Sequence, residues 1–314
     1  MERGVDPNEA RTDGWRPLSI ALYAGREQEA FFLINEAPSV DIEAPILRGD
    51  TPLMLAAELG RVNVLRALVA KGANVNVKNE DGYSALEVAI RHGQRAAAVC
   101  LINEAPGVDI DARDGHNRTA LVLAAAIGDV AVMKALVAKG ADVNTREALG
   151  LTPLRTAISH WHEEAALYLV EEPPVAVYEP DACASRGALG LAATSLYRVM
   201  RAIVRRMRAE GLDSATVASE MGAAAHSAIS MKKLEALKAL VEEGLDVDQA
   251  HVVVKDWKTN DRLLLHQACV KGDREAATLL VERGCDPLAH NSHGHRAHHV
   301  LAAQEDGLPM LHSG

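Results

Sequence analysis

Two short strings in this chain recur unchanged at one fixed offset. Leu33-Ile34-Asn35-Glu36-Ala37-Pro38 returns as Leu101 to Pro106, and Ala67-Leu68-Val69-Ala70-Lys71-Gly72 returns as Ala135 to Gly140, both 68 positions later. A looser copy of the first string follows at Leu169 to Pro174. Two different units therefore alternate inside a duplicated module, and each unit has 33 to 35 residues. That length holds two short helices and a turn but cannot enclose its own apolar face, so each unit must stack on its neighbours.

The stretch from Asp50 onward shows what a unit contains. Pro52 stands at a first helical position and Gly60 closes that helix. A second helix is expected over Val62 to Lys71, with Val64, Leu65, Leu68 and Val69 on one stripe and Gly72 beyond its end. Ala73-Asn74-Val75-Asn76 and the turn Glu80-Asp81-Gly82 then suit a hairpin finger. Composition agrees with thin stacked helices. The 314 residues exceed what a single core serves, and aromatics are only 3%, so packing must come from Ala, Leu and Val.

The formal net charge of −10 offers no positive field for a phosphate backbone or anionic lipid, so neither nucleic acid nor membrane is expected as a partner. Cys100, Cys183, Cys269 and Cys285 form no C-x-x-C pair, which argues against a disulfide framework or a thiolate zinc site. The charged N-terminus lacks an apolar signal core, and no apolar run is long enough to span a bilayer. The expected setting is the cytoplasm or the nucleus.

These residues resemble the ankyrin repeat, most closely over 45–78 and 114–146. The second of these contains Thr119-Ala120-Leu121, Ala124-Ala125, Gly128, Leu136-Val137 and Gly140-Ala141-Asp142-Val143-Asn144. The Leu of each Thr-Pro-Leu position falls at Leu18, Leu53, Leu86, Leu121 and Leu154, spaced 35, 33, 35 and 33. The resemblance implies an all-α solenoid of about eight stacked helix-turn-helix units with β-hairpin fingers, forming one domain over 1–314. The repeats fall at 13–43, 44–78, 79–113, 114–146, 147–178, 179–213, 214–248 and 256–289, with partial units at 1–12 and 290–314. Those at 179–213 and 214–248 are degenerate.

Several departures from the family pattern stand out. The family's His after that Leu is replaced by Ser19, Met54, Glu87, Val122 and Arg155, so these repeats are expected to be looser; it returns as His226 and His266, with His299 a further candidate. Ala37-Pro38-Ser39 and Ala105-Pro106-Gly107 lengthen two loops, and Gln249 to Lys258 is an insertion. Both ends look cut, which suggests a piece of a longer protein.

The resemblance implies a non-catalytic scaffold or adaptor, monomeric, that binds another protein through a concave groove. The residue after each turn glycine and the two after each alanine pair are the expected groove residues. They are Trp15 and Tyr23; Asp50, Glu58 and Leu59; Tyr83, Arg91 and His92; His116, Asn117 and Ile127; Leu151, Ser159 and His160. Trp161 stands where the family has Gly. Trp, Tyr and Arg are frequent interface anchors, and three of the ten aromatics fall in this small set. The alternative for Trp15 and Tyr23 is that they cover the end of the stack.

Other features carry less. His290, His293, His295, His298 and His299 could in composition hold a metal, but the turn and the family's His account for several of them, and no metal or other cofactor is assigned. Arg198, Arg201, Arg205, Arg206 and Arg208 share a helix with an apolar stripe, which reads as a solvated face or as a site for an acidic partner. Glu163-Glu164 and Glu171-Glu172 read as solvated carboxylates, and no nucleophile or phosphate-loop motif is present. Asn76 and Asn144 resemble finger asparagines that oxygenases hydroxylate in some ankyrin proteins. Two rival functions remain: the regulatory or targeting region of a larger enzyme, and a metal-dependent enzyme built on the histidine cluster.

Overall fold

The first helix of each pair opens on a residue that fixes its start. Pro17, Pro52 and Pro153 occupy first helical positions in α1 (Pro17–Tyr23), α3 (Pro52–Glu58) and α9 (Pro153–Ser159). Thr51 caps α3 by accepting from Met54 N at 3.3 Å, and Ser84 with Glu87 forms a capping box on α5 (Ala85–Arg91). Thr119 precedes α7 (Ala120–Ile127). The partner helices are α2 (Glu27–Asn35), α4 (Val62–Ala70), α6 (Arg95–Glu104), α8 (Val130–Ala138) and α10 (Glu163–Glu171). In this computed structural model the described residues are 7–12, 14–37, 39–171, 175–178, 187–194, 196–247 and 264–288. The histidine cluster at 290–299, the insertion at 249–258 and the partial unit at 290–314 lie outside them.

The chain divides into two compact units, 1–165 and 166–314. In the first, α1, α3, α5, α7 and α9 pack side by side as an inner row, and α2, α4, α6 and α8 as an outer row. In the second, α11 (Ala188–Ala192), α13 (Ser214–Ser230) and α15 (Leu264–Val270) form one row, and α12 (Tyr197–Ala209), α14 (Leu234–Glu242) and α16 (Arg274–Glu282) the other. This is the all-α ankyrin solenoid. With 13 and 17 residues, α12 and α13 exceed the seven to ten of α1 to α10, which explains why the family pattern fades there.

The fingers differ from the expected β-hairpins. Among the described residues there is no strand. Each finger of the first unit is instead a tight turn in which the first residue's N–H donates to the carbonyl four ahead: Arg11 to Trp15, Ile46 to Asp50, Asn79 to Tyr83, Asp114 to Arg118 and Glu147 to Leu151, at 2.8 to 3.1 Å. Such a short loop has no flanking residues left to form a ladder.

Hydrogen bonds between neighbouring repeats follow the same 68-residue offset as the sequence. Asn8 donates to Ser39 O and accepts from Asp41 N; Asn76 donates to Gly107 O and accepts from Asp109 N. Asn74 N donates to Glu43, and Asp142 N to Asp111. The Asn76 amide is thus a structural tie between fingers. At the positions where the family has His, Ser19, Met54, Glu87 and Val122 are buried.

Leu65, Leu68 and Leu136 are fully buried. Leu167 is only partly buried; Ala165, Ala166, Leu169 and Val170 form the buried stripe of α10 and turn Leu167 off it. In α12 the stripe Val199, Ile203, Val204 and Met207 is buried as expected. Its arginines do not simply face solvent: Arg201 pairs with Glu242, Arg205 and Arg208 with Glu243, and Arg206 with Glu210. The acidic partner for this face lies largely within the same unit.

Leu136→Ala should cost about 2 to 5 kcal/mol in urea unfolding, because the stacked helices cannot close the cavity it leaves. Glu87 accepts from Ser84 N at 2.7 Å with Oε2, while Oε1 is buried without a hydrogen-bond partner, and burial pushes this carboxyl above the usual range. Its ionisation in the folded state therefore costs stability as pH rises from the unfolded value of about 4.3 through the folded one. Glu87→Gln should be more stable than the parent at pH 7, with the advantage shrinking towards pH 4. A constant or reversed difference across that range would contradict the assignment.

Candidate functional site

Two rows of residues in the first unit define its candidate binding face. One row closes the finger turns and the other sits at the C-terminal ends of the inner helices. In repeat one the rows meet directly: Trp15 and Tyr23 are edge-to-face with centroids 5.2 Å apart. They meet again in repeat three, where the Arg91 guanidinium lies 4.0 Å from the Tyr83 ring centroid.

The residues closing the turns are Trp15, Asp50, Tyr83, Arg118 and Leu151. Arg118 was not among the expected groove residues. Repeat four carries two turn-like residues. Asn117 takes the left-handed conformation (φ 62°) that Gly14, Gly49, Gly82 and Gly150 take elsewhere. Gly115 serves another need, since a Cβ there would stand 2.8 Å from Asp81 O in the preceding finger. His116 and Asn117 therefore lie on the turn itself, both exposed, and Arg118 occupies the groove register. The Leu ruler contains this signal, because three residues before Leu18, Leu53, Leu86, Leu121 and Leu154 are Trp15, Asp50, Tyr83, Arg118 and Leu151.

The groove residues differ in how they are held. Asp50 accepts from Asn79 at 2.7 Å, and Glu58 faces His92 Nε2 at 3.6 Å. Arg118 pairs with the buried Asp114 and donates through Nη2 to Tyr83 Oη at 3.2 Å. Tyr83 is only 6% exposed, so its ring is a floor under Arg91 and not a projecting anchor. Leu59, Trp15 and Leu151 are half-buried, and Arg91, His92 and Ser159 are exposed.

The largest apolar exposure among the expected groove residues is at Tyr23 (66%), Trp161 (65%) and Ile127 (41%). Trp161 has φ 65°, the conformation that Gly25, Gly60, Gly93 and Gly128 adopt at the same register. His160 and His162 flank it with rings parallel and 6.4 Å apart, and they bond Thr156 O and Ala126 O respectively.

The outer row carries an open depression of about 510 Å³, lined by Leu65, Val69, Pro106 and Cys100 and bordered by the Arg66–Glu104 pair. Burial pushes the Cys100 thiol up, away from the nucleophilic thiolate. None of the groove residues lines it. Among the described residues no group of His, Cys, Asp and Glu is placed to hold a metal ion, and no helix is long and apolar enough to cross a membrane.

Comparison with known proteins agrees with the repeat geometry. A family model of three ankyrin repeats matches residues 1–79, 18–114 and 86–181. The E3 ubiquitin-protein ligase KEG of Arabidopsis thaliana is 27% identical over 92% of this chain, which spans 18% of that protein. Ankyrin repeat domain-containing protein 63 of Mus musculus is 31% identical over 48% of this chain and 40% of its own length. Alpha-latroinsectotoxin-Lt1a of Latrodectus tredecimguttatus is 30% identical over 54% of this chain and 12% of its own. The chain thus spans less than half the length of each of these relatives. With more than half of its residues covered by the family model and its helix pairs stacked in register, the chain belongs to the ankyrin repeat family.

Proposed function

We propose that this chain is a non-catalytic scaffold or adaptor that captures a protein partner along the groove of its first unit. The observation that carries this is Trp161. A left-handed backbone costs a non-glycine residue about 1 to 2 kcal/mol, and four neighbouring repeats place glycine at the same register. Trp161 bears that cost while holding most of its ring in water, a combination that favours binding over stability.

The mechanism is preorganised contact. The Asp50–Asn79, Glu58–His92 and Arg118–Tyr83 links hold groove side chains before the partner arrives, so little ordering entropy opposes docking. In this reading the chain acts as a monomer in the cytoplasm. The match to an E3 ubiquitin-protein ligase favours a second reading, in which the repeats are the targeting region of a larger enzyme. The groove then has the same role, with the chemistry located elsewhere.

Trp161→Gly should raise the unfolding free energy by about 1 kcal/mol while weakening capture of the partner by the full chain. Denaturant unfolding and affinity capture with mass spectrometry read the two effects separately. Trp15→Ala combined with Trp161→Gly should abolish capture without unfolding. Capture unchanged by both substitutions would overturn the assignment.

A further inference from the structure

We propose that the Glu58–His92 contact on the helix-end row is a proton-operated tie between repeats two and three, open when His92 is neutral and closed when its Nε2 gains a proton. The inference concerns the fold and stands whether or not the groove captures a partner.

The cross-repeat links of this face differ in where their donor hydrogens come from. The Asn79 amide donates to Asp50 and the Arg118 guanidinium to the Tyr83 hydroxyl, and both groups hold their hydrogens throughout the range around neutrality. His92 has its first hydrogen committed elsewhere. Its Nδ1 lies 3.0 Å from Val88 O, and a carbonyl oxygen only accepts, so the neutral ring carries its hydrogen on Nδ1. Nε2 then turns a lone pair towards Glu58 Oε1, 3.6 Å away, and two facing acceptors make no bond. A proton on Nε2 converts the same contact into a charged donor beside a carboxylate. Closed, the tie fixes a further link across the row and cancels the charge of Glu58.

The surroundings leave this exchange to the pair. The helices packed against α5 are α3, α6 and α7. Glu58 is the one ionisable side chain of α3, and α7 has none. The charges of α6, Arg95 and Glu104, are bound to Asp129 and Arg66, and its Cys100 thiol is buried. On α5 itself Glu87 is buried and Arg91 lies over the Tyr83 ring. Among the described residues Glu58 has no other hydrogen bond or ion pair.

The duplicated module supplies a contrast within the same chain. At the 68-residue offset His92 becomes His160, whose Nδ1 lies 2.9 Å from Thr156 O, while Glu58 becomes Ala126. His160 therefore has the same committed hydrogen and no carboxylate at the matching register.

Two measurements on the full chain test the proposal. Ring-nitrogen NMR above the range in which histidine titrates should show the Nδ1–H tautomer at both His92 and His160. A neutral His92 with its hydrogen on Nε2 would overturn the proposal, because it would donate to Glu58 at any pH. The second measurement is a double-mutant cycle of Glu58→Ala and His92→Ala in urea unfolding, in which loss of the Val88 bond cancels. Both side chains are partly exposed, so the variants should fold. At about pH 5.5, where histidine is charged and glutamate ionised, the pair should be coupled by about two- to fivefold in the folding equilibrium. At about pH 8.5 the coupling should vanish. Coupling that is equal at the two pH values, or absent at both, would contradict the tie.

Discussion

No repeat in this chain can bury both of its helices, and every other feature depends on that. Each inner helix of the first unit is seven or eight residues long, too short to persist alone in water, so its stability comes from the neighbours stacked on it. Stacking must be registered as well as apolar. The ties that register it join finger to finger and loop to loop: Asn76 to residues 107 and 109, Lys78 to Arg113 O, and Arg113 to Arg146 O. With turns and helix ends held at fixed spacing, the alignment of the turn row with the helix-end row is a by-product of stability. What differs between repeats is which side chains stand in those rows.

Those side chains are not uniform along the first unit. Trp15 and Tyr23 pair at one end, repeats two to four carry a network of charged and polar groups, and Ile127 and Trp161 expose apolar surface further on. Under the proposed function, a surface graded in this way would discriminate by matching the order of chemical groups in a partner and not by total area. The same logic separates the groove from the outer depression near Cys100, which lies on the other row and has no converging donors beyond the Arg66–Glu104 pair.

Much of this architecture was legible in the residues. The recurring strings located the repeats, and the Leu ruler located the inner helices, because spacing is what stacking constrains. Side-chain partnerships across repeats were harder to read, since they join residues 29 or more positions apart. Tyr83 reads as an exposed aromatic until Arg91 and Arg118 are seen to cover it. The arginines of α12 read as a free basic face until Glu242 and Glu243 of α14 are placed beside them. Arg118 was hidden because Gly115 imitates the turn glycine, while the left-handed position belongs to Asn117.

The central claim is that the turn row and helix-end row of the first unit form the binding face. The most direct measurement is hydrogen–deuterium exchange of the full chain, alone and saturated with its captured partner. The account predicts new protection at the finger turns near Asp50, Tyr83 and Arg118 and at the helix ends near Leu59, His92, Ile127 and Trp161, with the outer row unchanged. Protection centred instead on α4 and α6, around Arg66 and Cys100, would contradict it.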